Sequence, residues 1–202
     1  MDQAADAIGK YTPEPCLIAV IGMSGRYPGA DNLSELWDNL TAGIDAIREA
    51  DGQRWDLGYY NPDRERPGRI YSRAAGFLDN IDLFDADFFG LSPREASRMD
   101  PQQRLLLELS WEALEDAGIV PKLIAGSDTA VFIGISTCDY SALQDGDIAS
   151  ISAYTNAGSA ASIAANRISY FFDLHGPSLA IDTACSSALV AVHEACRSLQ
   201  SG

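Results

Sequence analysis

A cysteine stands where an extended apolar run gives way to a helical one in "AIDTACSSALVAVHEACRSL", residues 180–199. From Ser186 to Leu199, Ala188, Leu189, Val192, Ala195, Cys196 and Leu199 recur at steps of three and four, and the frequent Ala and Ser predict a helix buried on all sides. Cys185 then sits at the helix N-terminus, where unpaired N–H groups and the positive end of the helix dipole favour a thiolate. The same amides suit an oxyanion formed when that thiolate attacks a thioester or acyl carbonyl. Packing is the competing reading, since free cysteine is among the most buried residue types, and the residues alone leave both open.

The other thiols, Cys16, Cys138 and Cys196, form no CxxC pair, which fits reduced cysteines better than a disulfide frame or a zinc site. No metal site is expected. The only histidines are His175 and His193. A thiol hydrolase would need one of them beside Cys185, yet His193 lies eight residues along the same predicted helix, roughly 12 Å by helical rise. Arg64, Arg66, Arg69 and Arg73 gather positive charge that an acidic partner could use, against the alternatives of a solvated loop face or pairing with Asp63 and Glu65.

The 202 residues are 47% apolar and 21% charged, enough for a real core. With 14 Lys and Arg against 29 Asp and Glu the net charge is -15, which makes nucleic acid a poor partner. No stretch has the apolar length of a membrane span, and the acidic "MDQAADAIGKYTPEP" is not signal-like, so a cytoplasmic location is the expectation.

These residues need elements to hold them. Residues 1–14 read as a tail, and "CLIAVIGM" (16–23) as a short, fully buried strand. Asn32, Glu35 and Gly43 bracket an amphipathic helix with a capping box and a stop. The pattern loosens from Asp45 to Arg98, as functional surface or interface often does. Asp100, Pro101 and Gln103 then open a helix, with Gln103 closing a capping box and Leu105, Leu106, Leu109, Ala113 and Leu114 on its inner face. "TAVFIGIST" (129–137) predicts a buried strand, "SAASIAANRISYFF" (159–172) a helix, and "PSLAIDTA" (177–184) a strand leading to Cys185. Such alternation indicates an α/β fold.

"DTACSSALVAVHEAC" resembles the active-site segment of β-ketoacyl synthases, the condensing enzymes of modular polyketide synthases and type I fatty acid synthases. "IAVIGMSGRYPGADNLSELWDNL", "GFLDNIDLFDADFFGLSPREASRMDPQQRLLLELSWEALEDAG", "VFIGIST" and "ANRISYFFDLHGPS" resemble further blocks of that family, in family order. The resemblance runs through residues 15–202 and implies the N-terminal half of a thiolase-like fold, its C-terminal half absent, normally dimeric. It implies that Cys185 accepts an acyl group from a phosphopantetheine thiol before decarboxylative condensation with a malonyl-type extender on an acyl carrier protein. No cofactor would bind directly, the phosphopantetheine arm arriving on the carrier.

The family's two catalytic histidine loops have no counterpart in this sequence. His193 matches a helical histidine of the family and is expected to be structural. His175 occupies a position where relatives commonly carry arginine, and is expected at a surface or interface. Asn166 and Arg167 are expected to serve core hydrogen bonding and the dimer region, and Cys138 packing. The sequence therefore reads as the acyl-accepting part of a synthase, a fragment, a truncated gene product or one part of a split enzyme, not competent for condensation alone. A catalytically silent interaction module is the alternative. A bare half-core further predicts a homodimer, paired through "PSLAIDTA", or a complementing C-terminal half as partner.

Overall fold

The computed structural model describes residues 17–52, 54, 56–144, 149 and 151–202. The predicted tail and Cys16 lie outside the described residues. The expected strand at 16–23 is corrected: Leu17–Met23 form no strand, with Leu17 91% exposed. An apolar run becomes a strand only beside another edge that takes up its amides and carbonyls. Here the Met23 N–H instead donates to Asp116 Oδ2 at 2.9 Å.

Helix α1, Leu33–Ala42, begins where Asn32 accepts from the Glu35 amide and stops at Gly43, whose φ of 67° is the left-handed conformation that glycine adopts without a Cβ penalty. The Glu35 carboxylate bonds the Asp31 amide and the Asn32 side chain, a shifted version of the expected box. Within the loose region, β1 (Ile47–Glu49) and β2 (Ala74–Gly76) pair antiparallel. A single turn, α2 (Pro93–Ala96), leads to α3 (Pro101–Asp116), and another, α4 (Pro121–Ile124), to β3 (Val131–Gly134). Among the described residues α5 (Asp139–Gln144), α6 (Ala153–Ser159) and α7 (Ala161–Phe172) follow, and then β4 (Ser178–Ile181) and α8 (Ser187–Ser201).

Asp100 caps α3 through the Gln102 amide at 2.8 Å, but Gln103 does not close a box. Its place is taken by the Gly158 carbonyl, which accepts from the Asp100 amide at 2.8 Å. Gln103 is thereby released to donate to the carbonyls of Ala157 and Ala160 and to accept from Arg167. The inner face of α3 is turned accordingly: Gln103, Arg104 and Leu107 are its buried residues.

Strands β3 and β4 run parallel, Val131 opposite Ser178 and Gly134 opposite Ile181, as a crossover through α5–α7 permits. Val131 and Ile133 pack in the core with Met99, Leu107, Ala165, Ile168 and Phe172. The alternate face of β3 ends at Gly134, against the start of α8. Helices α7 and α8 thus cover opposite faces of the pair. An aromatic seam closes the core, Phe88 edge-on to Trp111 at 4.7 Å and Phe89 against Phe171 at 4.9 Å.

The all-round burial expected of the last helix is corrected as well. Ser187 and Ala191 are its buried residues, while Leu189 and Leu199 are 76% and 69% exposed. Small side chains permit close packing on every face but do not supply a second partner.

Candidate active site

Strand β4 delivers the chain to Asp182, whose Oδ1 accepts from the Ala184 amide at 2.9 Å. That turn holds Ala184 at a φ of 55°, a left-handed conformation costing an alanine about 1 kcal/mol. Residues Ala184–Ser186 then make one tight 3-10 turn with Cys185 at its centre, and α8 begins at Ser187, one residue later than the sequence suggests. The Cys185 side chain is exposed and carries no disulfide, so core packing does not account for it.

Four hydroxyl contacts tie the turn together. Ser187, only 5% exposed, donates through Oγ to the Ala184 carbonyl at 2.7 Å and accepts from the Thr183 amide at 2.9 Å. Ser186 Oγ donates to the Thr183 carbonyl at 2.9 Å and lies 2.8 Å from Thr183 Oγ1. Behind the turn, α7 fixes β4: Ser169 Oγ donates to Ser178 Oγ, which donates to Asn166 Oδ1, each at 2.9 Å.

The other sequence candidates are not brought to Cys185. His193 is exposed on α8, and exposed His175 pairs its Nε2 with Asp173 Oδ1 at 3.2 Å. Neither histidine has a hydrogen bond linking it to Cys185 among the described residues. Cys138 is exposed rather than packed, and Cys196 is half-buried. Two of the four arginines lie over rings, Arg64 over Tyr71 at 4.8 Å and Arg73 over Tyr60 at 5.0 Å, with Arg73 also 3.0 Å from Glu49, and among the described residues no ion pair joins the cluster to Asp63 or Glu65. Arg69 donates to the Gly58 carbonyl at 2.7 Å. Arg167 serves internal hydrogen bonding as expected, held by Glu95 at 2.7 Å and Gln103 at 3.2 Å.

Sequence reasoning missed a second charged site on α3. Arg26 donates to Glu112 at 2.8 Å and Ser24 donates to the same carboxylate. The Arg26 hydrogen bond holds the Glu112 carboxyl below its usual range, while burial pushes that of Glu108 upward. Glutamates four residues apart on one helix face were the available signal. A broad acidic cleft opens elsewhere, beside Phe77, Asp82, Asp100, Arg104 and Tyr140, and Cys185 does not line it. Among the described residues, no group of His, Cys, Asp and Glu side chains is placed to hold a metal ion, and no helix is long and apolar enough to cross a membrane.

The turn thus presents an exposed thiol between a strand and a helix. Residues 17–202 match the family model for the β-ketoacyl synthase N-terminal domain, and the chain belongs to that family. It is 48% identical over 185 residues to one of the phenolphthiocerol/phthiocerol polyketide synthase proteins of Mycobacterium tuberculosis, covering 91% of this chain and 12% of that protein. Polyketide synthase PksL of Bacillus subtilis is 45% identical over 193 residues, covering 92% of this chain and 4% of its own length. The chain thus spans only a small part of the curated relatives it matches. Among solved structures, the oxazolomycin ketosynthase domain OzmH KS7 of Streptomyces albus superposes with a TM-score of 0.82 at 40% identity, over 91% of this chain and 32% of that one. The ketosynthase from module 6 of the Bacillus subtilis bacillaene synthase gives 0.76 at 39% identity, over 91% and 29%. The fold is therefore that of ketosynthase domains, the thiolase-like architecture expected from the sequence, over its N-terminal half.

Proposed function

We propose that this chain is the acyl-accepting part of a polyketide ketosynthase domain and that Cys185 is its nucleophile. The observation that carries the reading is the exposed Cys185 thiol at the centre of a hydrogen-bonded turn opening α8. The Cys185 sulfur, having given up its proton to water, attacks the carbonyl carbon of an acyl thioester on the phosphopantetheine arm of an acyl carrier protein. A new carbon–sulfur bond forms, the bond to the pantetheine sulfur breaks, and that sulfur leaves and takes up a proton. An oxyanion forms on the acyl oxygen between the two steps and collapses as the pantetheine sulfur departs.

Residues 15–202 act as one incomplete domain, and condensation is not expected from this chain alone, because neither of its two histidines is held beside Cys185. The open apolar side chains of Leu189, Val192 and Leu199 support a covering partner, either the complementing C-terminal half of a synthase or a second copy. They equally suit the alternative of an interaction module with no chemistry.

Incubation with an acyl-pantetheine thioester, followed by intact-mass analysis and peptide mapping, separates the two. A single acyl adduct on Cys185, lost in Cys185→Ala, is expected. Acylation confined to Cys138 or Cys196, or none at all, overturns the assignment.

A further inference from the structure

We propose that Gly134 and Ser187 are positioning residues that lock the Cys185 turn from its two sides, an inference that rests on Cys185 being the acyl acceptor. Gly134 stands opposite Ile181 in the parallel ladder, and Ile181 is the last residue of β4 before Asp182. A Cβ at Gly134 would lie 2.5 Å from the Ala188 amide nitrogen and 2.6 Å from both Ala188 Cα and the Ser187 carbonyl carbon. One glycine therefore touches the chain entering the turn, through the ladder, and the chain leaving it, through direct backbone contact. The contacts are with main chain, so no side chain can swing aside to admit a methyl group.

Ser187 closes the loop from within. Its buried Oγ accepts from the Thr183 amide and donates to the Ala184 carbonyl, so a single hydroxyl satisfies two backbone groups on either side of the left-handed residue. A residue in that conformation persists where its surroundings over-determine it. Asp182 supplies one restraint, on the Ala184 amide, and Ser187 supplies the other, on its carbonyl. Cys185 lies between them, and its position is set by these neighbours. Neither Gly134 nor Ser187 needs to touch the acyl group to govern the attack, because a displacement near 1 Å in the attacking atom slows a positioned reaction by about 100-fold.

The test compares wild type, Gly134→Ala and Ser187→Ala in the full 202-residue chain. Two rates are measured for each: acylation of Cys185 by an acyl-pantetheine thioester, and alkylation of exposed Cys138 by iodoacetamide as an internal reference. Leu107→Ala, which opens the core at a residue 1% exposed, serves as a destabilised control. Cys185 acylation is expected to fall about 100-fold in Gly134→Ala and about tenfold in Ser187→Ala relative to Cys138. In Leu107→Ala the ratio should hold at temperatures below its melting point, separating positioning from general loss of stability. Variants that melt cooperatively and keep the wild-type ratio overturn the lock while leaving the nucleophile in place. A wild-type chain whose Cys185 takes no acyl group fails at the earlier step.

Discussion

Glu95→Gln is expected to lower the melting temperature by several degrees, through a contact that lies outside the proposed site. Glu95 and Arg167 meet at 2.7 Å with side chains 22% and 12% exposed, joining α2 to α7. At an effective dielectric of 20, charges at that separation attract by about 6 kcal/mol, of which removal from water offsets the larger part. The substitution keeps the shape of the side chain and one acceptor oxygen, but strands the Arg167 charge with Gln103 as its remaining partner. Breaking a fully buried pair costs about 3–5 kcal/mol, and the water still reaching both groups lowers that to about 2 kcal/mol. For a chain this size each kcal/mol moves the midpoint by about 2–4 °C, which gives a fall of about 4–8 °C. Thermal unfolding followed by circular dichroism reads it directly, and added salt should change the difference little because the pair is mostly shielded from solvent. Adding Arg167→Met to Glu95→Leu should recover much of the loss, since an apolar pair leaves no charge uncompensated. A Glu95→Gln midpoint within about 1 °C of wild type would refute the reasoning, because an Arg167 charge without its counter-charge would then cost nothing.

Two further outcomes come from α3. Leu107→Ala should cost about 3 kcal/mol, since Leu107 is enclosed by Met99, Val131 and Ile168 and the cavity has little room to collapse; urea denaturation with an unchanged slope checks it. The two glutamates should move stability in opposite directions with pH. Glu112, with its carboxyl held below the ordinary 4.5, stabilises the fold above that value and loses the contribution as pH falls through its lowered folded value, so Glu112→Gln should lower the neutral melting point and flatten the acid loss. Glu108, pushed above 4.5 by burial, is disfavoured when ionised, and the fold gains as pH falls through its raised value towards 4.5; Glu108→Gln should raise the neutral melting point and remove that gain.

What the sequence made legible was what local chemistry decides. Asn32 and Gly43 bound α1 because a cap and a left-handed stop need only their own neighbours. Asp100 and Pro101 open α3 for the same reason, yet its inner face turned towards Leu107 because Gln103 and Arg104 find partners in distant segments. The run from Leu17 to Met23 was misread because apolarity signals a wish for burial and does not name the edge that would pair with it. At the Cys185 turn, residue types alone left packing and chemistry both open, and the family resemblance of "DTACSSALVAVHEAC" was what favoured chemistry. Ser187 escaped notice because its two hydrogen bonds exist only once Ala184 has turned left-handed. Gly134 carried a readable signal, a glycine in the middle of an apolar strand, which marks a close approach of another backbone.

The site divides into a supported side and an open one, and the division bears on how a partner would act. Core packing around Ile168 and Phe172 holds α7, the Ser169–Ser178–Asn166 bridge passes that support to β4, and β4 ends at the turn bearing Cys185. The outer face of α8 contributes nothing to this chain of contacts, since Leu189, Val192 and Leu199 stand open and lie outside the core cluster. A body settling on that face would bury apolar surface worth about 25 cal/mol per Å² without having to move Ala184, Ser187 or Gly134. The turn bearing Cys185 is thus held from within the chain, and whatever covers α8 meets a thiol already in place.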